Sequence, residues 1–394
     1  MSSTFATCAA RATLPSPLSP RRRSDGAPRA SSSRRRASRT RVARASSSSS
    51  SSSGADDEKP DRASDAIPPL AKAQAPSFDE RRATDDPDRP PAPITPNKLG
   101  VHALVFTGAW DEPAATLACA GAKRAGYDII EIPLLVPSAV DAAMTKRVVE
   151  AHGLQATTSL GLRFDADVSS ADDEIAARGE ALLNDALEKT IQMGGTHMCG
   201  ILYSALGKYD KPVTKRGYEN SIAAIKRVAR RANDAGVILG LEVVNRYETN
   251  VLNTAAQAME FISEVNEDNV RVHLDSYHMC IEERSLRQAV KTCGDKLGYV
   301  HVGESHRGQL GTGNVDFCRL FYGLAEIQYR GPITFESFSG KVVSEDLSNT
   351  LCVWRDLWED SDALAKHARD YVERAIEAAA GAHDNTRVIV GDWF

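Results

Sequence analysis

From Leu99 onward the chain alternates short apolar, β-branched runs with longer amphipathic segments, and it does so eight times. The runs are Leu99–Phe106, Asp128–Leu134, Ala156–Leu162, Thr196–Leu202, Val237–Val244, Val270–Ser276, Leu297–Val302 and Gly331–Glu336. Alternation of this kind builds parallel strands with helical returns, not hairpins. Eight such units close a barrel, so the predicted fold class is α/β, a (β/α)8 TIM barrel. A doubly wound open sheet competes, but that fold puts a glycine-rich phosphate turn after an early strand. None follows Leu99–Phe106.

The segments between the runs carry helix boundaries. Ser170, followed by Asp172, Asp173 and Glu174, offers a cap and an acidic first turn; Leu183, Leu187 and Ile191 then share one face until Gly194-Gly195 stops the helix. Ile222, Ile225 and Ala229 face one way, opposite Lys226 and Arg230, before Gly236 releases the chain into the fifth run. These stripes are expected to pack on the barrel and to do no chemistry.

Four of the last runs close on an acid or an imidazole: Glu242, Asp275, His301 and Glu336, at intervals of 33, 26 and 35 residues. Each interval is about one strand, helix and return loop, and the strands of a barrel all open on one face, so the four groups should converge. A lone buried carboxylate is costly, whereas several around a cation are not. Glu242, inside an apolar run, needs a positive partner; the alternative to a cation is a salt bridge to Arg246. The alternative readings are a helix cap for Asp275 and a packed core histidine for His301. His273, two residues before Asp275, shares its strand face but sits deeper and is read as structural. Three carboxylates and one histidine suit Mn²⁺ best, with Mg²⁺ or Co²⁺ as alternatives, and not a closed zinc site.

The first quarter of the 394 residues is of another kind. Residues 1–54 hold eleven Arg, no Lys and a single acid, Asp25, and end in the Ser46–Ser53 run. That composition is expected of an organelle transit peptide, a chloroplast one on its serine content, with a mitochondrion as the alternative, or the cytoplasm if the segment is no transit peptide. A basic arm for nucleic acid is the bland competitor. Residues 55–97, with nine of the eighteen prolines, are read as a disordered linker, 98–380 as the catalytic barrel and 381–394 as a tail. Removing the +10 arm from a net charge of −5 leaves −15 on the remainder, which disfavours a nucleic-acid partner. No stretch reaches the ~20 apolar residues of a membrane span. Seven scattered cysteines, with no C-x-x-C pair, form neither a disulfide framework nor a cysteine zinc site.

Several blocks carry a more specific likeness. Leu241-Glu-Val-Val-Asn-Arg-Tyr-Glu-Thr-Asn with Leu252-Asn-Thr-Ala-Ala resembles the hallmark segment of the D-tagatose and D-psicose (D-allulose) 3-epimerases, members of the xylose-isomerase-like barrel superfamily. Leu274-Asp-Ser-Tyr-His-Met, Ile281-Glu-Glu, Gly303-Glu-Ser-His-Arg, Phe335-Glu-Ser-Phe and Val353-Trp-Arg-Asp-Leu resemble its later blocks. The likeness spans residues 98–380 and is strongest after 236. It implies that Glu242, Asp275, His301 and Glu336 hold one divalent metal and that Glu242 and Glu336 are the catalytic acid and base. It also implies that Glu248, His278 and Arg307 contact the first three oxygens of an open-chain ketose. One Glu would take the C3 proton to give a cis-enediolate that the cation stabilises, and the other would return a proton on the opposite face. The family implies a homodimer or homotetramer.

Competing activities on such a barrel are an aldose–ketose isomerase, an inosose dehydratase and a nuclease for damaged DNA, the last needing further histidines and a basic groove. A sugar-binding barrel without turnover would be expected to lack one of the two glutamates, and both are present. Gly311-Thr-Gly313 is read as a turn and not a phosphate site, which favours a free ketose over a phosphorylated one. The end of the first run (His102, Ala103, Phe106, Trp110) and the loop Gly308-Gln-Leu-Gly-Thr-Gly313 depart from the family pattern, in regions that would touch the distal end of the sugar.

Overall fold

The computed structural model describes residues 97–391, with side chains described through Gly381. The expected transit peptide, nearly all of the linker and most of the C-terminal tail's side chains lie outside the described residues. Eight parallel strands close a barrel in chain order: β1 (Leu99–His102), β2 (Ile129–Pro133), β3 (Gln155–Leu162), β4 (His197–Ala205), β5 (Ile238–Val243), β6 (Val270–Asp275), β7 (Leu297–Val302) and β8 (Ile333–Phe335). Pairing of Leu99 with Ile333 and Val101 with Phe335 closes the ring.

All eight expected runs are strands, but the first is shorter than the sequence suggests. After His102 the chain enters a 3-10 turn, Ala103–Val105, because His102 Nδ1 accepts the Leu104 N–H at 3.2 Å and bends the backbone inward. Leu104 thereby lines the mouth of the barrel.

The returns are helical: α1 (Glu112–Ala125), α2 (Ala142–Ala151), α3 (Asp173–Gln192), α4 (Lys215–Asp234), α5 (Ala255–Val265), α6 (Ser276–Glu282), α7 (Leu286–Cys293), α8 (Phe317–Glu326), α9 (Glu345–Thr350) and α10 (Ser361–Gly391). The cap of α3 is Asp172 and not Ser170. The Asp172 carboxylate accepts from Glu174 N and Ile175 N, and the Ser170 hydroxyl accepts from Asp172 N instead. Leu183, Leu187, Ile225 and Ala229 are buried as their stripes require. Helix α10 runs past residue 380 and seals the ring between α1 and α8, with Tyr127 Oη donating to Ala365 O at 2.9 Å.

Inside the barrel Tyr299 is fully buried among Thr157, Thr334 and Glu131, while Ile130, Ile132 and Met198, on the outward faces of their strands, are fully buried against the helices, each stabilising by about 1.5–3 kcal/mol. Enclosure of the strand ring by the helices raises the cost of any charge held within it that lacks a partner. Among the described residues no helix is long and apolar enough to cross a membrane.

Candidate metal centre and active site

Strands β5, β6, β7 and β8 deliver Glu242, Asp275, His301 and Glu336 to one point. Their ligand atoms all lie within 4.8 Å of one another, and all four residues are buried. Register explains the convergence: Asp275 pairs with His301 and His301 with Thr334, two residues before Glu336. Asp275 also caps α6 through Tyr277 N at 2.7 Å, so its capping and clustering roles coexist. The salt bridge weighed for Glu242 does not form, because Arg246 turns outward to Glu282 at 2.6 Å.

The cluster is electrostatically strained as it stands. Burial pushes the Asp275 carboxyl up to about 6, against the opposing pull of the Arg307 guanidinium. Burial also raises Glu242 and Glu336, while the neighbouring His301 works the other way. For His301, burial favours the neutral ring, but the charges of Glu131 and Glu336 overcome it and hold its pKa well above the ordinary value.

These residues fit a divalent cation. His301 Nδ1 is buried without a hydrogen-bond partner, 3.5 Å from Glu336 Oε1 and 3.7 Å from Glu242 Oε1. Its Nε2 is occupied elsewhere, against Glu131 Oε2 at 2.8 Å. One unused imidazole nitrogen facing three carboxylates is a hard-to-borderline donor set, compatible with a divalent metal site.

Beside the cluster lie the three residues expected to contact substrate. Arg307 is buried, and its Nη1 reaches Asp275 Oδ2 at 3.0 Å and Glu336 Oε2 at 2.6 Å. Its guanidinium carbon sits 3.7 Å from the centre of the Tyr277 ring and 4.9 Å from that of Phe338. To aim this side chain, the Arg307 backbone adopts a left-handed conformation (φ 61°), closing a turn in which its N–H donates to Glu304 O at 2.8 Å. Such a conformation costs about 1–3 kcal/mol for a residue with a side chain.

His278 Nδ1 accepts from Asn245 N at 3.2 Å and faces Asn245 Nδ2 at 2.8 Å. Its Nε2 faces the cluster, 3.7 Å from Glu242 Oε1 and 3.3 Å from Arg307 Nη2. Burial and Arg307 together push the His278 pKa well below its ordinary value, keeping the ring neutral. The same Asn245 amide donates to Glu248 Oε1 at 2.9 Å, and burial lifts the Glu248 carboxyl to about 7.

Asn245 therefore orients two of the three residues expected to contact substrate, and an asparagine inside the Val-Asn-Arg block gives no sequence signal of that role. His273 is fully buried beneath the cluster, its ring centroid 4.2 Å from that of His301 and neither ring nitrogen hydrogen-bonded. The 304–315 loop is organised by a buried carboxylate. Glu304 accepts from Ser305 N at 2.8 Å, Gly311 N at 2.9 Å and Val315 N at 3.2 Å. Its charge already occupies the Gly311 amide that a phosphate would need.

The opposite wall of the cavity is mostly apolar, formed by Leu104, Pro133, Leu135, Leu160, Ile201 and Phe338, with His102 and Ser159 as polar exceptions.

The xylose isomerase-like TIM barrel family model matches residues 119–350. The chain is 52% identical over 277 residues to the L-ribulose 3-epimerase of Methylomonas sp. (strain DH-1), covering 70% of this chain and 97% of that protein. It is 46% identical over 281 residues to the ketose 3-epimerase of Arthrobacter globiformis, covering 71% and 97%. Among solved structures, D-allulose 3-epimerase from Methylomonas sp. in complex with D-allulose superposes with a TM-score of 0.70 at 51% identity, covering 71% of this chain and 97% of that one. The chain is thus a member of the D-tagatose/D-psicose 3-epimerase family of xylose isomerase-like TIM barrels, a family of carbohydrate epimerases.

Proposed function

We propose that this protein is a Mn²⁺-dependent ketose 3-epimerase acting on free ketoses, such as the D-fructose/D-allulose or D-tagatose/D-sorbose pairs. The observation that carries the reading is the convergence of Glu242, Asp275, His301 and Glu336 beside Arg307, His278 and Glu248. The four clustered residues would hold the cation. When bound, it would supply Lewis-acid polarisation of the ketone, which acidifies the neighbouring C3–H.

The remaining work falls to side chains. The Arg307 guanidinium donates to the oxygens at the sugar's C1–C3 end, and His278 hydrogen-bonds there through Nε2. Glu248, with its carboxyl near neutrality, accepts or donates at the same end as the hydroxyl requires. One of Glu242 and Glu336 removes the C3 proton from one face, and the other returns a proton to the opposite face. Two groups are needed, because a single base returns the proton to the face it left. Tyr277 and Phe338, packed on either side of Arg307, keep bulk water from the exchanged proton. A free sugar is favoured because Glu304 fills the Gly311 amide.

The test is incubation of the Mn²⁺-loaded protein with D-fructose and other free ketohexoses and ketopentoses in D₂O. The expected result is the C3 epimer with deuterium at C3. Aldose products, or failure of every ketose to exchange at C3, would overturn the reading.

A further inference from the structure

We propose that Glu131, on β2, is a positioning residue for the metal centre: it holds His301 by Nε2 so that the Nδ1 lone pair is the one presented to the cation. This rests on the metal-dependent reading above.

Glu131 is fully buried and lies across the barrel from β7. Its Oε2 accepts from Tyr299 Oη at 2.8 Å and faces His301 Nε2 at 2.8 Å. A carboxylate oxygen there requires the hydrogen on Nε2, which leaves Nδ1 free toward Glu242 and Glu336. Tyr299 in turn is fixed by Thr157 Oγ1 and Thr334 Oγ1, each at 2.8 Å, so the carboxylate stands on a rigid hydroxyl ladder.

Packing alone does not explain a charge in this place. A buried carboxylate is costly beside an apolar residue of similar volume, and Glu131 Oε1 makes no hydrogen bond at all. A carboxylate behind a ligating histidine fixes the ring and strengthens its donation.

The other use of the same oxygens, a second cation held by His102, Glu131 and Glu336, is disfavoured by the His102 ring. Its Nδ1 is committed as acceptor to Leu104 N, so the neutral ring bears its proton on Nε2, facing Ser159 Oγ at 3.1 Å and Glu131 Oε1 at 3.7 Å. No lone pair remains for a metal.

The experiment is calorimetric titration of Mn²⁺ into metal-stripped wild type, Glu131→Gln and Tyr299→Phe, with ¹⁵N-histidine NMR of the Mg²⁺-loaded wild type. Glu131→Gln is expected to weaken Mn²⁺ binding by about 10–100-fold. Tyr299→Phe, which removes the other hydrogen bond to Oε2 and the two threonine contacts but leaves the Glu131–His301 pair, is expected to lower the melting temperature and leave affinity nearly unchanged. The NMR spectrum should show His301 protonated at Nε2, and this measurement decides the matter if Glu131→Gln does not fold. Wild-type affinity in Glu131→Gln, equal losses in both variants, or a proton on Nδ1 would overturn the proposal. A wild type that binds no divalent cation would overturn the metal reading and this inference together.

Discussion

Strands β5–β8 end in Glu242, Asp275, His301 and Glu336, whereas the ends of β1–β4 offer the same cavity Pro133, Leu160 and Ile201, with His102 and Ser159 between them. One half of the barrel gathers three carboxylates that Arg307 and His301 only partly balance, and the other offers little to hydrogen-bond. On the proposed reading, the ionic half performs the reaction at C3 and the apolar half meets the far end of the ketose by shape. Reaction and discrimination would then be separable, and the separation can be attacked from either side.

The largest effect should come from the ionic half. Glu242→Gln or Glu336→Gln should lower kcat by at least about 10²–10⁴-fold while the protein still folds, as read by steady-state assay and circular dichroism. Retained epimerisation in either variant would contradict the two-group scheme.

A smaller effect follows from pH. Asp275 and Glu248 titrate near 6 and 7 in the metal-free fold, above the usual carboxylate range, so the folded state holds protons that the unfolded chain has released. Their contribution is full below the ordinary carboxylate pKa and is lost as pH rises through those values. The metal-free protein should therefore lose stability on going from about pH 5 to pH 8 through these groups. Cation binding needs the deprotonated ligands, so the stabilisation by excess Mn²⁺, up to about 4 kcal/mol at a thousandfold excess over Kd, should grow over the same interval. Scanning calorimetry with and without Mn²⁺ at both ends of the interval reads it, and a gain larger at low pH would oppose the account.

The smallest effect belongs to the apolar half. Ser159→Ala removes one hydrogen-bonding group, worth about 1 kcal/mol or roughly fivefold, and should alter the ranking of ketoses by kcat/KM more than the top kcat. Damage comparable to that of Glu336→Gln would erase the division between the halves.

The sequence revealed the ionic half because each of its residues interrupts an apolar run at barrel spacing. Glu131 carries the same signal, a lone acid in Ile129-Ile-Glu-Ile-Pro, but it lies inside its run and not at the strand end where a barrel collects its chemistry. The shortened β1 was hidden for a different reason. It depends on His102 accepting a backbone N–H two residues on, and periodicity does not report a side chain that bends its own strand. Asp172 displaced Ser170 as the cap because its carboxylate reaches two successive amides. The apolar wall stayed silent, since its leucines look like core from the sequence and become cavity lining only where the loops open.

The left-handed backbone of Arg307 sets a limit on improvement by design. Glycine would relax that dihedral and is what a backbone-guided stabilisation scheme would choose, yet it discards the guanidinium that stands between Asp275 and Glu336. On the proposed reading a more heat-resistant variant obtained at this position would lose its hold on the sugar, so engineering for endurance should begin on the outer helices and leave this turn alone.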